Sequence, residues 1–231
     1  MASKRARKKN KSIKIQKRVE REKQERKSKV MTYTSFFFVA LFAGFLIYLW
    51  ISSINAPLHV PSSDVGASTG PEDAEVVFLE FGCFTCPFTE QFNLNVMPTL
   101  LEEYGDRVRF VFRSSPIYSN PGAELAGVAS KCAGKQDFFW EFSEDLFRQR
   151  SYNKDNIISL ASNYDIDIDE FSRCLDDDSM ASLVREDYRE ARKARITVTP
   201  TLFINDVRIN GAVDINSLRQ LLDDKLEKYS S

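Results

Sequence analysis

A single histidine, His59, stands among 231 residues. It lies in a stretch of Pro, Gly and Ser, so no imidazole is available as a catalytic base in the rest of the chain. Nine glycines form no nucleotide-binding motif in the C-terminal part, and no bound cofactor is expected. Cysteines number four, and only Cys83 and Cys86 are closely spaced. A C-x-x-C pair alone also occurs as half a zinc site or as a copper clip. The other two, Cys132 and Cys174, lie 42 positions apart without the paired spacing of structural zinc, so no metal is expected. No internal repeat is visible. Asp, Glu, Lys and Arg are missing altogether from Val30 to Ser63.

That uncharged stretch separates two halves of opposite sign. Residues 1–29 carry fourteen Lys/Arg against Glu20, Glu22 and Glu25, a net of +11, so the remainder carries −12 beneath an overall −1. The apolar heart runs from Tyr33 to Ile54, 22 residues without a polar stripe, about 33 Å as a helix and enough to span a bilayer core. The basic flank orients it with the N-terminus in the cytoplasm and the rest outside, and Tyr33, Tyr48 and Trp50 sit where interfacial anchors are expected. A cleavable signal peptide is the competing reading. It needs a shorter apolar region, and its nearest small-x-small site, Ser53 to Ala56, is followed by Pro57, which favours an uncleaved signal-anchor.

The expected organisation is therefore a basic cytoplasmic tail (1–29), a transmembrane anchor (30–54), a flexible linker (55–74) and a globular domain (75–231). The tail is suited to anionic lipid headgroups, and no nucleic-acid partner is expected. The linker holds Pro57, Pro61, Gly66, Gly70 and Pro71 and lacks apolar periodicity. In the domain, Glu75 to Phe81 reads as a buried strand breaking at Gly82, and a helix starts near Cys86-Pro87 and runs to about Tyr104. Arg107 to Arg113 alternates as a strand. About 121–194 reads as several helices. Thr201 to Ile204 and Val207 to Asn210 flank the hairpin signal Asn205-Asp206, and Asp214 to Tyr229 is a closing amphipathic helix.

All four cysteines fall beyond the membrane segment, where disulfides persist, so disulfide chemistry is the first functional expectation. Cys83 and Cys86 lie between a strand and a helix start. A thiolate at a helix N-terminus gains from unpaired N–H groups and the macrodipole, which makes Cys86 the better nucleophile and Cys83 the resolving thiol. With no histidine, Glu80 on the strand is the candidate proton acceptor, its pKa raised by burial. Glu80 as a satisfied structural acid is the alternative.

Strand, helix, strand, helical block, hairpin, helix is the order of a thioredoxin fold with an inserted helical subdomain, an α/β fold here preceded by one transmembrane helix. Over about 75–228 the chain resembles the DsbA-like branch of the thioredoxin superfamily. The likeness rests on Glu80-Phe81 leading into Cys86-Pro87-Phe88, on Arg109 to Arg113, on Cys132 to Gln136 followed by Phe139-Trp140, on Phe171 to Leu175, and on Val198 to Asn205. It implies a redox-active cysteine at Cys86 and a cis-proline loop in which Thr199 and Pro200 bind substrate. Phe84, Thr85 and Pro87, around the cysteines, are further candidate substrate contacts. Cys132 and Cys174 match family positions that often carry cysteine. A structural bridge there would contribute about 3–4 kcal/mol; separate buried thiols or a second shuttling pair are the alternatives.

One departure bears on mechanism. The family pattern C-P-x-C would put the second cysteine at Thr89, whereas here Cys83 stands where an acidic or small polar residue is usual. Cys86 attacking with Cys83 resolving, the reverse order, and Cys86 acting alone all follow from such a shift. The resemblance implies an oxidase of exported polypeptides that a membrane partner recycles. A reductase or isomerase, a non-catalytic module and a copper carrier are the other readings.

Overall fold

The computed structural model describes residues 31, 34, 37–50, 59–211 and 213–229. The chain divides after Pro57 into two units. In the first, residues 37–50 form helix α1, with the large apolar side chains Phe37, Phe38, Phe42 and Trp50 exposed. No helix among the described residues is long and apolar enough to cross a membrane. The basic tail lies outside the described residues, as do the two ends of the expected span Tyr33–Ile54.

The second unit is built on a five-stranded sheet: β1 (Ala67–Thr69), β2 (Val76–Gly82), β3 (Val108–Ser114), β4 (Thr201–Ile204) and β5 (Val207–Asn210), in spatial order β1-β3-β2-β4-β5. Only β2 and β3 pair in parallel, Phe78 opposite Phe110 and Gly82 opposite Ser114. The remaining neighbours are antiparallel. Helices cover both faces of β2, which is why its sequence is a nearly unbroken apolar run rather than an alternating one. Phe78 packs with Phe92, Met97 and Leu100 from helices α2 (Pro87–Asn95) and α3 (Met97–Tyr104), and with Leu218 and Leu222 of a closing helix at Ile215–Tyr229. Leu79 and Phe81 face the other way, toward Ala191 and Ala194.

Between β3 and β4 come α4 (Ala123–Gly134), α5 (Phe139–Arg148), α6 (Lys154–Ala161), α7 (Ile168–Leu175) and α8 (Asp178–Lys193), with α9 the closing helix Ile215–Tyr229. Their shared core is rich in aromatics, among them Phe142, Phe147 and Phe171, and is continuous with Phe84 and Phe112 from the sheet side. Cys132 of α4 and Cys174 of α7 are bonded, Sγ–Sγ 2.06 Å. Buried Asp187 of α8 accepts from Arg113 Nε at 2.8 Å and pairs with Lys131 Nζ at 2.7 Å, tying the helical block to β3.

Two elements differ from the sequence reading. The segment expected as a free linker contains β1, which joins the sheet edge with Ala67 opposite Phe112. This strand is held by backbone pairing and not by an apolar pattern. Gly70, which reads as a flexible linker residue, has φ +88°, and a Cβ there would lie 2.3 Å from the Val108 carbonyl oxygen. The single helix expected from Cys86 to Tyr104 is two, α2 and α3, meeting at Val96 (φ −112°, ψ −47°). Pro98 sits in the first turn of α3 and has no N–H to continue the ladder of α2.

Candidate active site

Cys86 is the N-cap of α2, and Pro87, fixed near helical φ, is the first helical residue. A turn precedes it, closed by the Cys86 N–H donating to the Cys83 carbonyl at 3.0 Å. Both cysteines are free thiols, packed with Ala123. They differ in access: Cys86 is 7% exposed and Cys83 is 0% exposed.

The Cys86 thiol donates to the carbonyl oxygen of Thr199 at 3.4 Å, across the sheet end. The Thr199–Pro200 peptide bond is cis. As a thiol, Cys86 makes no capping hydrogen bond. As a thiolate it becomes the acceptor at the helix end. Burial opposes ionisation, but the Thr199 hydroxyl, the Thr89 N–H and hydroxyl, and the Phe88 N–H outweigh it and hold the Cys86 pKa below the ordinary thiol value. Consistent with that role, Thr199 Oγ1 is buried and has no hydrogen-bond partner among the described residues.

Cys83 lies under the loop that follows β3. Its sulfur accepts from the Ile117 N–H at 3.3 Å and contacts the Thr85 hydroxyl at 3.2 Å, which in turn accepts from Asn120 Nδ2 at 3.1 Å. The Cys83 N–H approaches Thr89 Oγ1 at 3.5 Å. Gly82, just before it, leaves room for Phe112, whose Cε2 would stand 2.5 Å from a Cβ at that position.

Glu80 is fully buried on the α2 side of β2. Its Oε1 accepts from Asn93 Nδ2 at 2.8 Å, and Oε2 has no partner among the described residues. Loss of hydration raises its pKa to about 8, with the Asn93 amide partly offsetting the rise. The strand acid is thus wholly buried.

Beside Cys86 runs an open groove of about 740 Å³, lined by Phe88, Ile117, Tyr118, Tyr188, Val198 and Thr199 among others. Phe88 is 65% exposed and Val198 47% exposed. Of the expected substrate contacts, Pro87 and Thr199 line this groove. Phe84 does not: it is 2% exposed, and its ring packs 4.6 Å from that of Phe147. Its place beside a reactive cysteine suggested a surface residue, but the inserted helices offer an aromatic core that buries it. Thr85 turns toward Cys83. The residues that sequence reasoning missed are Phe88, Ile117, Asn93 and Asn120. Phe88 was legible as an apolar helix position, one turn from buried Phe92, and as part of Cys86-Pro87-Phe88, but not as a substrate contact, and the rest carry no motif. His59 pairs with Glu190 at 3.0 Å and takes no part in the site. Among the described residues no three His, Cys, Asp or Glu converge as a metal site.

The Thioredoxin family model matches residues 62–224. Disulfide bond formation protein D of Bacillus subtilis is 28% identical over 169 residues, covering 68% of this chain and 76% of that protein. The Na(+)/H(+) antiporter NhaA 1 of Salinispora arenicola is 32% identical over 151 residues, 64% of this chain but only 23% of the antiporter. The crystal structure of oxidised BdbD from Bacillus subtilis superposes with a TM-score of 0.65 at 29% identity, covering 72% of this chain and 96% of that one. With the family match spanning the sheet, the inserted helices and both cysteines, the chain belongs to the thioredoxin superfamily, as a DsbA-like oxidoreductase.

Proposed function

We propose that the chain is a membrane-anchored protein thiol–disulfide oxidoreductase acting outside the cytoplasm, which passes the Cys83–Cys86 disulfide to exported polypeptides. The observation that carries this reading is the asymmetry of the pair: Cys86 caps a helix at the rim of a groove with a lowered pKa, while Cys83 is closed off beneath the loop after β3. An incoming substrate thiolate attacks Cys86 Sγ, the bond to Cys83 breaks, and its electron pair leaves on Cys83 Sγ. A second substrate thiolate then attacks the substrate sulfur of the mixed disulfide and expels the Cys86 thiolate. The substrate loses two electrons and two protons, and the enzyme pair gains the electrons. Glu80 is the acid–base group, and its raised pKa, about 8, lets it hold or release a proton near neutrality. Thr199 and Pro87 align the substrate chain, with Phe88 and Val198 as apolar contacts, and buried Pro200, which lies outside the groove lining, acts through the cis bond that places Thr199.

Anchoring is supported by the uncharged stretch Val30 to Ser63 and by the large apolar side chains that α1 exposes. Residues 1–29 then meet anionic lipid on the cytoplasmic side, and a membrane redox partner restores the disulfide. The domain bounds that go with this reading are a tail at 1–29, an anchor at 30–54 and a catalytic domain that begins with β1, ahead of residue 75. The test is trapping with an unfolded protein that carries a disulfide, which the free thiolate of the variant attacks, one substrate sulfur leaving as thiolate. The Cys83→Ser chain, oxidised by substrate disulfide, accumulates a mixed disulfide on Cys86, whereas Cys86→Ser accumulates none on Cys83. Equal trapping on both would remove the assigned order.

A further inference from the structure

A backbone N–H and a hydroxyl meet the Cys83 sulfur. The Ile117 N–H points at it from 3.3 Å. The second contact, Thr85 Oγ1 at 3.2 Å, is a hydroxyl that donates or accepts as its surroundings dictate. Asn120 Nδ2 donates into Thr85 Oγ1 at 3.1 Å, so this neighbour takes an oxygen lone pair and leaves the hydroxyl hydrogen free to turn to the sulfur once Cys83 is a thiolate. Asn120 is held in turn by its own N–H, which donates to the Ile117 carbonyl at 2.8 Å, so one turn of the loop after β3 supplies both arms. The sulfur is fully buried, and water cannot substitute for either donor.

We propose that Asn120 is a positioning residue for the exchange reaction. It fixes the Thr85 hydroxyl as a donor, so that the loop offers Cys83 a two-donor seat for the electron pair it receives when its bond to Cys86 opens. This rests on the reading of Cys83 and Cys86 as the redox pair. The step is the one already written: substrate sulfur bonds to Cys86, the Cys83–Cys86 bond breaks, and the negative charge arrives on Cys83. Donors that wait for that charge favour opening of the disulfide and make the protein a stronger oxidant. The site thereby moves leaving-group stabilisation off the helix N-terminus, which serves Cys86, and onto a loop that contributes no cysteine.

The experiment is a double-mutant cycle on the full chain in detergent, reading the equilibrium constant with glutathione and the rate at which reduced glutathione opens the disulfide. Asn120→Ala is expected to shift the constant toward the disulfide, and to slow opening, by about fivefold, the scale of one hydrogen bond. In a Thr85→Val background the same change should move both by less than twofold, because no hydroxyl remains to be oriented. Thr85→Ser, which keeps the hydroxyl, should stay within twofold of the parent. An Asn120→Ala effect of equal size in the Thr85→Val background would overturn the proposal, since Asn120 would then act by packing. So would no effect in either background. If the parent forms no Cys83–Cys86 bridge at any ratio, the redox-pair reading falls first and the proposal with it.

Discussion

Thr199 and Glu80 show how single residues set the chemistry, each through a buried polar atom without a partner among the described residues. The Thr199 hydroxyl has no partner among the described residues and stands beside Cys86, whose thiolate it would donate to. Thr199→Val removes that donor at nearly constant volume, so iodoacetamide should alkylate Cys86 at pH 7 about three- to tenfold more slowly. An unchanged rate would mean that the helix N–H groups alone stabilise the thiolate. For Glu80 the sign follows from linkage. Its folded pKa, about 8, lies above the ordinary value of 4.5, so between these two pH values the folded chain holds a proton that the unfolded chain has lost. Stability is greatest below about pH 4.5 on this account, falls as pH rises, and levels off above about 8. Glu80→Gln should abolish that slope and stabilise the protein by about 2–4 kcal/mol at pH 7, read from urea unfolding across pH. A slope that survives the substitution would assign it to another group.

At the scale of elements, the bridge between α4 and α7 joins residues 42 apart and constrains the loop between them. Replacing Cys132 and Cys174 together with Ala should cost about 3–4 kcal/mol in denaturant unfolding while the glutathione equilibrium of Cys83 and Cys86 stays the same. A changed equilibrium would give the second pair a part in electron transfer. The central strands, the inserted helices and the hairpin at Asn205-Asp206 were readable because buried strands, amphipathic helices and two-residue turns leave local signatures. β1 was not, because an edge strand of Ala, Ser and Thr is defined by its partner's backbone. The break at Val96 was also hidden, since apolar positions continue on both sides and only Pro98 marks it. Within the site, C-x-x-C and the Thr199-Pro200 motif stood out in sequence. The surroundings of Cys83 did not, since Ile117, which donates to its sulfur, and Asn120, which donates to Thr85, lie more than 30 positions away and act through a backbone N–H and a side-chain amide. Phe84 shows the converse error, an aromatic in a conspicuous place that the inserted helices bury.

For the whole molecule, charge asymmetry and the uncharged stretch Val30 to Ser63 set the expected topology. The chain should stay with membranes through a 1 M salt wash that screens the basic tail, with the Debye length at about 3 Å, and leave them only in detergent. Release by salt would reduce residues 1–54 to an electrostatic tether. The central claim concerns the pair itself. Its most direct test is the redox state of the full chain in detergent across a series of glutathione ratios, each cysteine assigned by mass spectrometry after alkylation. Cys83 and Cys86 are expected to form one internal bridge that is reduced as a unit, near about −120 to −180 mV for a disulfide donor. Separate glutathione adducts on the two cysteines, with no Cys83–Cys86 bridge at any ratio, would contradict it.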